Sequence, residues 1–438
     1  MTMPAAVEAT RKPGPRRGPL AGVRIADFTW VAAGPLATRF LADMGAEVIK
    51  IEDGRPGHPR IDRIRRVTIT RGTGAKSVGH DYGDFNLNSS GMFNNYNRSK
   101  LSVTIDMTHP LGRSLAERLI AACSVVTENF APGVMEQWGL GYERLNEISP
   151  EVIFARMSGF GHSGPHEMFR SYGPVVQAVS GLSHISGRPG GGMPSGWGLS
   201  YMDNQAGYQG SNAVLAALYR RNETGKGSLV DLSAVEAGVS LIGPKLLDVT
   251  VNGAVTRGGD FPCGNRLPDN DAAPHGVYPS KGDDQWIAIA VMDDAQWAAL
   301  KAAMGNPEWA AAPRFDAAAD RAAAQDELDA RMAEWTAEQD RHELTTLLQQ
   351  TGVPAMAVQS EGDKERDPQL DQRGMYPKLD HPVCGVSRFE GTPIKFSRSQ
   401  PDLWRSAPFV GEDNDYVFRE ILGLDEAEIA DLRQAGVI

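Results

Sequence analysis

Residues 22–53 read GVRIADFTWVAAGPLATRFLADMGAEVIKIED, and this stretch decides the fold. A short apolar strand comes first, and a turn of small residues, 31–34, follows it. Pro35 suits the first turn of a helix because its missing N–H would have no partner there. Apolar residues then recur at helical spacing up to Gly45, and 48–51 is a second apolar strand. The stretch therefore predicts a βαβ unit that opens an α/β domain.

The turn at 31–34 is a candidate ligand site. It lies where the first strand ends, and open parallel sheets bind their ligands at the carboxyl ends of strands. Small residues such as Ala32, which follows Val31, let a ligand approach the backbone closely. The turn lacks the GxGxxG pattern, so a nicotinamide or flavin cofactor is disfavoured.

A second polar loop leads into another strand at 94–107, NNYNRSKLSVTIDM. Asn97, Arg98 and Lys100 lie where this loop ends. Two cations beside a strand end suit contacts with phosphate groups, and a solvated surface loop is the alternative.

Composition and charge restrict the class of protein. The 438 residues are 41% hydrophobic, which is enough chain for two lobes. No apolar run reaches the roughly 18 to 20 residues of a membrane span. Residues 1–18 lack the apolar core of a secretory signal and are expected to form a flexible basic tail. The net charge of −11 disfavours nucleic acid as a partner. Three cysteines without metal-ligand spacing predict a cytoplasmic protein with no metal site.

Four stretches resemble the family III CoA-transferases, the CaiB/BaiF group, in their order and spacing. They are GPLATRFLADMGAEVIKIE in the βαβ unit, NRSKLSVTIDM at 97–107, ENFAPGVMEQWGLGYERL at 128–145, and the pattern YxxVxQAxSG at 172–181. The resemblance continues to the carboxyl terminus and covers the chain from about residue 18 onward.

This resemblance implies a fold and an activity. The fold is a discontinuous Rossmann-like large domain with a smaller α+β domain, and two subunits interlock as a dimer. The large domain would span 19–225, the small domain 226–330, and the return to the large domain with the closing helix 331–438. The activity is transfer of CoA from an acyl-CoA donor, for example succinyl-CoA, to a carboxylic acid through intermediates on one aspartate. Coenzyme A is then a substrate, and no tightly bound cofactor is expected.

The resemblance also implies which residues contact CoA. They are Val31, Ala32, Asp53, Asn97, Arg98, Lys100 and Asn129. Two positions depart from the family pattern: Ala131 stands where many relatives have a basic residue, and Asp53 stands where an arginine can occur. Because these departures remove possible cations, they predict weaker binding of the nucleotide part of CoA.

The position expected for the family's aspartate is Gly173. That aspartate should follow an aromatic residue and precede Gln177 by four positions, but the chain reads Tyr172-Gly173. Glycine offers no nucleophilic oxygen. Either another carboxylate takes over, with Asp203 and Glu167 as the less favoured substitutes, or an aspartate-bearing paralogue supplies the chemistry in a heteromer.

The heteromer is the favoured interpretation. The run YGPVVQAVSGLSHISG most resembles the branch of two-subunit benzylsuccinate CoA-transferases, in which one subunit lacks the aspartate. The chain is therefore expected to be the subunit of a CoA-transferase without the nucleophile, acting on an aromatic or dicarboxylic acid. The alternatives are a non-catalytic acyl-CoA-binding or assembly subunit and a racemase or lyase-like enzyme that uses another base.

Further candidate side chains surround this position. Residues 62–90 form a polar, glycine-rich insertion whose Arg63 and Arg66 suit a dicarboxylate or the partner subunit, with a surface loop as the alternative. His162 and Tyr172 flank the vacant position and are expected to contact the substrate or the partner. No carboxylate at a fixed spacing accompanies His162 to activate it as an acid or base.

Overall fold

A computed structural model describes residues 16–54, 88–188, 192–196, 201–254, 262–267 and 272–438. Arg63 and Arg66 lie outside these ranges, as do most of the predicted insertion and residues 1–15. Arg16 was predicted to belong to the flexible tail, but its guanidinium stacks 3.5 Å above the ring of Trp404. This cation–π contact makes Arg16 part of the folded unit.

A six-stranded parallel sheet forms the centre of the first part of the chain. Its strands, β1 to β6, are Arg24–Asp27, Glu47–Glu52, Leu101–Thr104, Val125–Glu128, Ile153–Ser158 and Ser228–Ser233. They lie in the order β3-β2-β1-β4-β5-β6, the doubly wound order of a Rossmann fold. The direction of winding changes between β1 and β4, so the carboxyl ends of these strands mark the expected ligand crevice. The predicted α/β class is confirmed.

Helices cover both faces of this sheet. Along β1, Ile25 packs into one apolar cluster and the next residue, Ala26, into another, because successive side chains point to opposite faces. The helices that precede the second sheet along the chain, α1 to α10, are Ala33–Asp43, Gly91–Asn97, Pro110–Ala121, Val134–Gln137, Tyr142–Ile148, Gly173–Val179, Leu182–Ile185, Tyr201–Thr224, Ala234–Leu241 and Gly243–Asn252. Within the described ranges, no helix is both long and apolar enough to cross a membrane.

A smaller antiparallel sheet follows, with strands β7 (His275–Pro279), β8 (Trp286–Ala290) and β9 (Ala355–Ala357). Its helices, α11 to α16, are Asp294–Ala303, Ala318–Ala323, Gln325–Thr336, Arg341–Gln350, Glu361–Arg366 and Pro368–Gln372, with 3-10 turns at Glu308–Ala311 and Pro313–Phe315. The chain ends with a hairpin of β10 (Lys378–His381) and β11 (Gly385–Arg388), a π-helical turn at Tyr416–Ile421, and helix α17 (Glu426–Gln434).

Two compact units divide the chain. The first comprises 1–182, 196–243 and 372–438, and the second comprises 183–195 and 244–371. The predicted small domain, 226–330, differs at both ends. Strand β6 hydrogen-bonds to β5 and so belongs to the large sheet, and β9 pairs with β8 and so keeps the chain beyond residue 330 in the second unit. Both differences depend on strand pairing between distant segments, which the pattern of a single strand does not reveal.

Candidate active site

A cavity of about 250 Å³ opens where the order of the sheet reverses, at the carboxyl ends of β1, β2 and β4. Aromatic rings form much of its wall. The Trp30 and Phe130 ring centres are 5.4 Å apart, and the Phe130 and Trp138 centres are also 5.4 Å apart, both in edge-to-face arrangement. Such a wall suits a planar heteroaromatic group such as adenine.

The polar side chains of the cavity come mainly from β2 and the residue after it. Lys50 donates a hydrogen bond from Nζ to the Thr29 carbonyl oxygen at 2.7 Å, and Glu52 accepts one from the Ser102 hydroxyl at 2.9 Å. Asp53 and Ala131, the two positions at which relatives can carry a cation, both line this cavity. The structure thus brings together two departures that lie far apart in sequence.

The turn after β1 is rigidly held beside this cavity. Asn129, which follows β4, accepts a hydrogen bond from the Trp30 N–H and donates one to the Trp30 carbonyl oxygen, both at 2.9 Å. The next residue, Val31, has a φ of 66°, a left-handed conformation that is rare for a β-branched residue. Strain of this kind concentrates at functional sites. The predicted contacts Val31 and Asn129 therefore meet at one turn.

The same turn leads into the amino terminus of α1. Ala32, the buried residue before the helix, provides no side-chain cap, and the first turn of α1 contains no acidic residue. The first backbone N–H groups of a helix have no partner within it, and the helix dipole favours an anion at this end. The turn is suited to an anionic group such as a phosphate.

Arg98 and Lys100 have a different role from the one predicted. Both side chains are fully buried: Arg98 pairs with Asp43 at 2.6 Å, and Lys100 pairs with Asp27 at 3.1 Å. Asn97 is also buried, and its Oδ1 accepts a hydrogen bond from Lys100 Nζ at 2.9 Å. The prediction that these side chains contact phosphate is corrected, because their polar groups bond within the fold and have no exposed surface.

Sequence reasoning missed Asp27, the last residue of β1. Its carboxylate is fully buried and accepts hydrogen bonds from the Thr29 N–H at 3.0 Å and from the Thr38 hydroxyl at 2.8 Å. Burial opposes its ionisation, but Lys100 and Lys50 outweigh that effect and lower the pKa of Asp27. The sequence signal that could have identified Asp27 was the presence of a carboxylate within the strand segment VRIADF. Asp27 and Lys100 together hold the turn after β1 and the start of α1.

Gly173 is the first residue of helix α6, and it is buried. Tyr172, which precedes it, is 62% exposed and provides no side-chain cap to the helix. Glu167 lies in the loop before it, with its backbone N–H bonded to Gly164 at 3.3 Å. Because residue 173 is a glycine, the start of α6 carries no side-chain oxygen at this position.

Asp203 lies in the first turn of α8. Its neighbour Asn204 accepts a hydrogen bond from the Tyr96 hydroxyl at 3.1 Å. Burial raises the pKa of Tyr96, and the nearby Asp203 carboxylate adds to this rise. One turn further along, Gly207 packs so closely on the start of α1 that a Cβ there would lie 2.8 Å from the Ala33 carbonyl oxygen. Asp203 is thus one helical turn from the contact with the amino-terminal end of α1.

His162 has a carboxylate neighbour in the fold, although none accompanies it at a fixed spacing along the chain. Its Nε2 lies 3.4 Å from Oε1 of Glu128, the last residue of β4. Glu128 ends β4 and His162 lies in the loop after β5, so no spacing along the chain could reveal the pair.

The chain matches known proteins over nearly its whole length. The profile of CoA-transferase family III covers residues 20–414. Among curated relatives, succinyl-CoA–D-citramalate CoA-transferase of Chloroflexus aurantiacus is 31% identical, and the match covers 96% of this chain and 98% of that protein. Formyl-CoA:oxalate CoA-transferase of Bradyrhizobium diazoefficiens is also 31% identical over 96% of this chain and 97% of its own length.

Solved structures agree with these relatives. A CAIB/BAIF family protein from Brucella suis superposes with a TM-score of 0.80 at 30% identity, covering 93% of this chain and all of that one. A hypothetical protein from Mycobacterium tuberculosis superposes with a TM-score of 0.73 at 27% identity, covering 92% of this chain and 99% of its own. Sequence and fold lead to the same conclusion: the chain belongs to the family III CoA-transferases, the CaiB/BaiF group.

Proposed function

We propose that this chain binds an acyl-CoA at the switch point of its sheet and transfers the CoA to a carboxylic acid through the carboxylate of Asp203. One observation carries the proposal: an aromatic cavity, a strained turn and an uncapped helix start meet at the carboxyl ends of β1 and β4. The cavity suits the adenine ring and the start of α1 suits a phosphate group of CoA.

Asp203 supplies the nucleophilic oxygen in this proposal. It attacks the thioester carbonyl, the C–S bond breaks, and CoA leaves as a thiolate while a mixed anhydride forms. The thiolate then attacks the aspartyl carbonyl, which releases the donor acid and forms an enzyme thioester. The acceptor carboxylate displaces CoA from this thioester, and the thiolate takes the new acyl group, restoring Asp203. The position in the first turn of α8 favours the ionised carboxylate, because the helix dipole is positive there.

The acceptor we propose is a dicarboxylic acid. The relatives named above act on citramalate and oxalate, both with two carboxylates, and one of them takes CoA from succinyl-CoA by its name. Succinyl-CoA is therefore the proposed donor. Aromatic acids remain the alternative class of acceptor, with Arg63 and Arg66 still predicted to bind the second carboxylate or a partner.

A second candidate function places the chemistry on a partner. Gly173 stands at the position expected for the aspartate and carries no reactive side-chain atom. In this candidate, an aspartate-bearing paralogue supplies the nucleophile and this chain supplies the scaffold of a heteromer. An interlocked dimer, with itself or with that paralogue, is the proposed assembly.

One experiment separates the two candidates. The purified chain is incubated with succinyl-CoA and a panel of dicarboxylic and aromatic acids, alone and together with an aspartate-bearing homologue, and new acyl-CoA is measured by chromatography. The first candidate predicts transfer by the chain alone, an acyl group trapped on Asp203 by mass spectrometry, and a loss of about 10³-fold or more in Asp203→Asn. The control Glu167→Gln should keep its activity.

Transfer that appears only after mixing would instead support the heteromer. Transfer by the chain alone that survives in Asp203→Asn would contradict the role assigned to that carboxylate.

A further inference from the structure

Three charged side chains lie next to one another at the carboxyl edge of the sheet. Glu128 ends β4, Arg156 lies opposite it on β5, and Asp231 lies opposite Arg156 on β6. Residues paired across parallel strands project to the same face, so the three side chains share one face.

His162, in the loop after β5, spans this row. Its backbone N–H donates to the two carboxylate oxygens of Asp231 at 3.1 and 3.2 Å, and its Nε2 lies 3.4 Å from Oε1 of Glu128. The side chains of His162 and Glu128 are only 4% and 1% exposed. The loop is therefore attached to two different strands through one residue.

The contact between His162 and Glu128 depends on a proton. Oε2 of Glu128 accepts a hydrogen bond from the Phe130 N–H at 2.6 Å, whereas Oε1 and the histidine Nε2 both lack a well-aligned partner. Both atoms are acceptors when unprotonated, so they satisfy each other only if one of them carries a proton. Leaving both unsatisfied in the interior would be costly.

The surroundings place that proton on Glu128. Burial raises the pKa of Glu128 to about 8, and burial together with the Arg156 cation lowers the pKa of His162. The other charged groups near the pair are Asp231 on β6, Glu136 on α4 and Glu167 in the loop. At neutral pH Glu128 therefore keeps its proton, and its carboxyl O–H is placed to donate a hydrogen bond to Nε2 of the neutral imidazole.

We propose that Glu128 and His162 are positioning residues whose shared proton holds the loop 159–172 against the cavity wall, and that ionisation of Glu128 releases this loop. The wall is the segment that continues from Glu128 through Asn129, which holds the turn after β1, to Phe130, which lines the cavity. The loop leads directly into Tyr172 and α6. The consequence of loop release for catalysis rests on the proposed function, because the loop and the wall flank the proposed CoA site.

The test is amide hydrogen exchange of peptides covering 159–172, measured by mass spectrometry from about pH 6.5 to 9.5 and corrected for intrinsic exchange. In the native chain, protection of this loop should fall by about tenfold as Glu128 ionises. In Glu128→Gln it should stay constant, because the amide N–H replaces the carboxyl proton. In His162→Leu it should be low at every pH, whereas the exposed-histidine control His184→Leu should behave as the native chain.

Constant protection in the native chain, or a Glu128→Gln variant that loses protection with pH as the native chain does, would overturn the proposal. Should His162→Leu fail to fold, the nitrogen-15 shift of His162 in the native chain decides instead. A neutral imidazole at pH 7 that accepts a hydrogen bond supports the pair, and an imidazolium contradicts it.

Kinetics then test the consequence for the site. KM for acyl-CoA or for the acid should rise above about pH 8 in the native chain and not in Glu128→Gln, and an unchanged KM would contradict the positioning role. Exchange and nitrogen shifts do not require transfer activity. An inactive chain with the expected exchange behaviour would therefore count against the proposed function and leave the loop proposal supported.

Discussion

Val31 combines a β-branched side chain with a φ of 66° at the turn that faces the cavity. Such a conformation costs about 1 to 3 kcal/mol, and the surrounding bonds of Asn129 maintain it. We expect Val31→Gly to stay within about 1 kcal/mol of the native free energy of unfolding, because relief of strain offsets the entropy of glycine. KM for acyl-CoA should rise severalfold, because the turn is no longer preorganised.

The control is Asn306→Gly, which changes a residue with a φ of 53° in the second unit. Its KM should not change. A native KM in Val31→Gly would show that the strained turn does not contribute to binding.

A variant of Lys100 tests whether this side chain is a structural cation or a phosphate ligand. Lys100→Met leaves the buried Asp27 carboxylate without its ion-pair partner, which should lower the free energy of unfolding in urea by about 3 to 5 kcal/mol. The double variant with Asp27→Asn should recover part of this loss, since no buried charge is left unpaired. A normal stability combined with a raised KM for CoA would instead restore the phosphate role predicted from the sequence.

Glu128 also makes stability depend on pH. Burial raises the pKa of Glu128 from the ordinary 4.5 to about 8, so between these values the folded state binds a proton that the unfolded chain releases. Burial and the Arg156 cation lower the pKa of His162 below its usual 6.5, so the His162 contribution to stability rises with pH up to 6.5. Just below pH 6.5 the two effects therefore oppose each other. From 6.5 to about 8 the Glu128 effect prevails, and stability should fall by up to about 1.4 kcal/mol per pH unit.

Urea unfolding of the native chain and of Glu128→Gln across this range measures the effect. The variant should show a flatter dependence between about pH 6.5 and 8, since its amide does not titrate. Parallel curves for the two proteins would show that Glu128 does not hold its proton in the fold.

At the scale of elements, the close packing of α8 on α1 positions Asp203. Gly207 allows this approach, since a Cβ would lie 2.8 Å from the Ala33 carbonyl oxygen. Gly207→Ala should therefore push the helices apart, lower stability by about 1 to 3 kcal/mol and reduce kcat by displacing Asp203. Gly243→Ala is the matched control, because nothing lies within 4 Å of a Cβ at that helix start. Equal behaviour of the two variants would contradict this view of the packing.

Some elements were readable from local pattern alone. Helix α1 runs from Ala33 to Asp43, and β2 from Glu47 to Glu52, close to the predicted bounds. Both carry strong local signals, a proline in the first turn and a glycine after the helix. Strand β6 carried no comparable signal for its place, because only its pairing with β5 assigns it to the large sheet.

At the scale of the whole molecule, helix α10 suggests that another chain covers it. None of its residues is buried, and Leu246, Leu247 and Val251 are 53%, 61% and 72% exposed. Exposed apolar groups of this kind mark interaction surfaces. We expect light scattering to find a dimer and Leu247→Glu to shift it toward the monomer. The control Leu111→Glu, at a leucine that is 49% exposed on α3, should keep the native mass. A native protein that is monomeric would contradict this expectation.

The sequence by itself determined the α/β class, the βαβ opening, the family and the position of the turn after β1, because these depend on local periodicity and on motifs that are continuous in the chain. Only the tertiary structure decided which polar side chains are available. Arg98 and Lys100 read as phosphate ligands beside a strand end, yet folding buries both against carboxylates from distant segments. The Glu128–His162 pair likewise exists only because neighbouring strands bring its two members together. Burial and partner choice arise from contacts across the sheet, and the order of residues along one strand does not encode them.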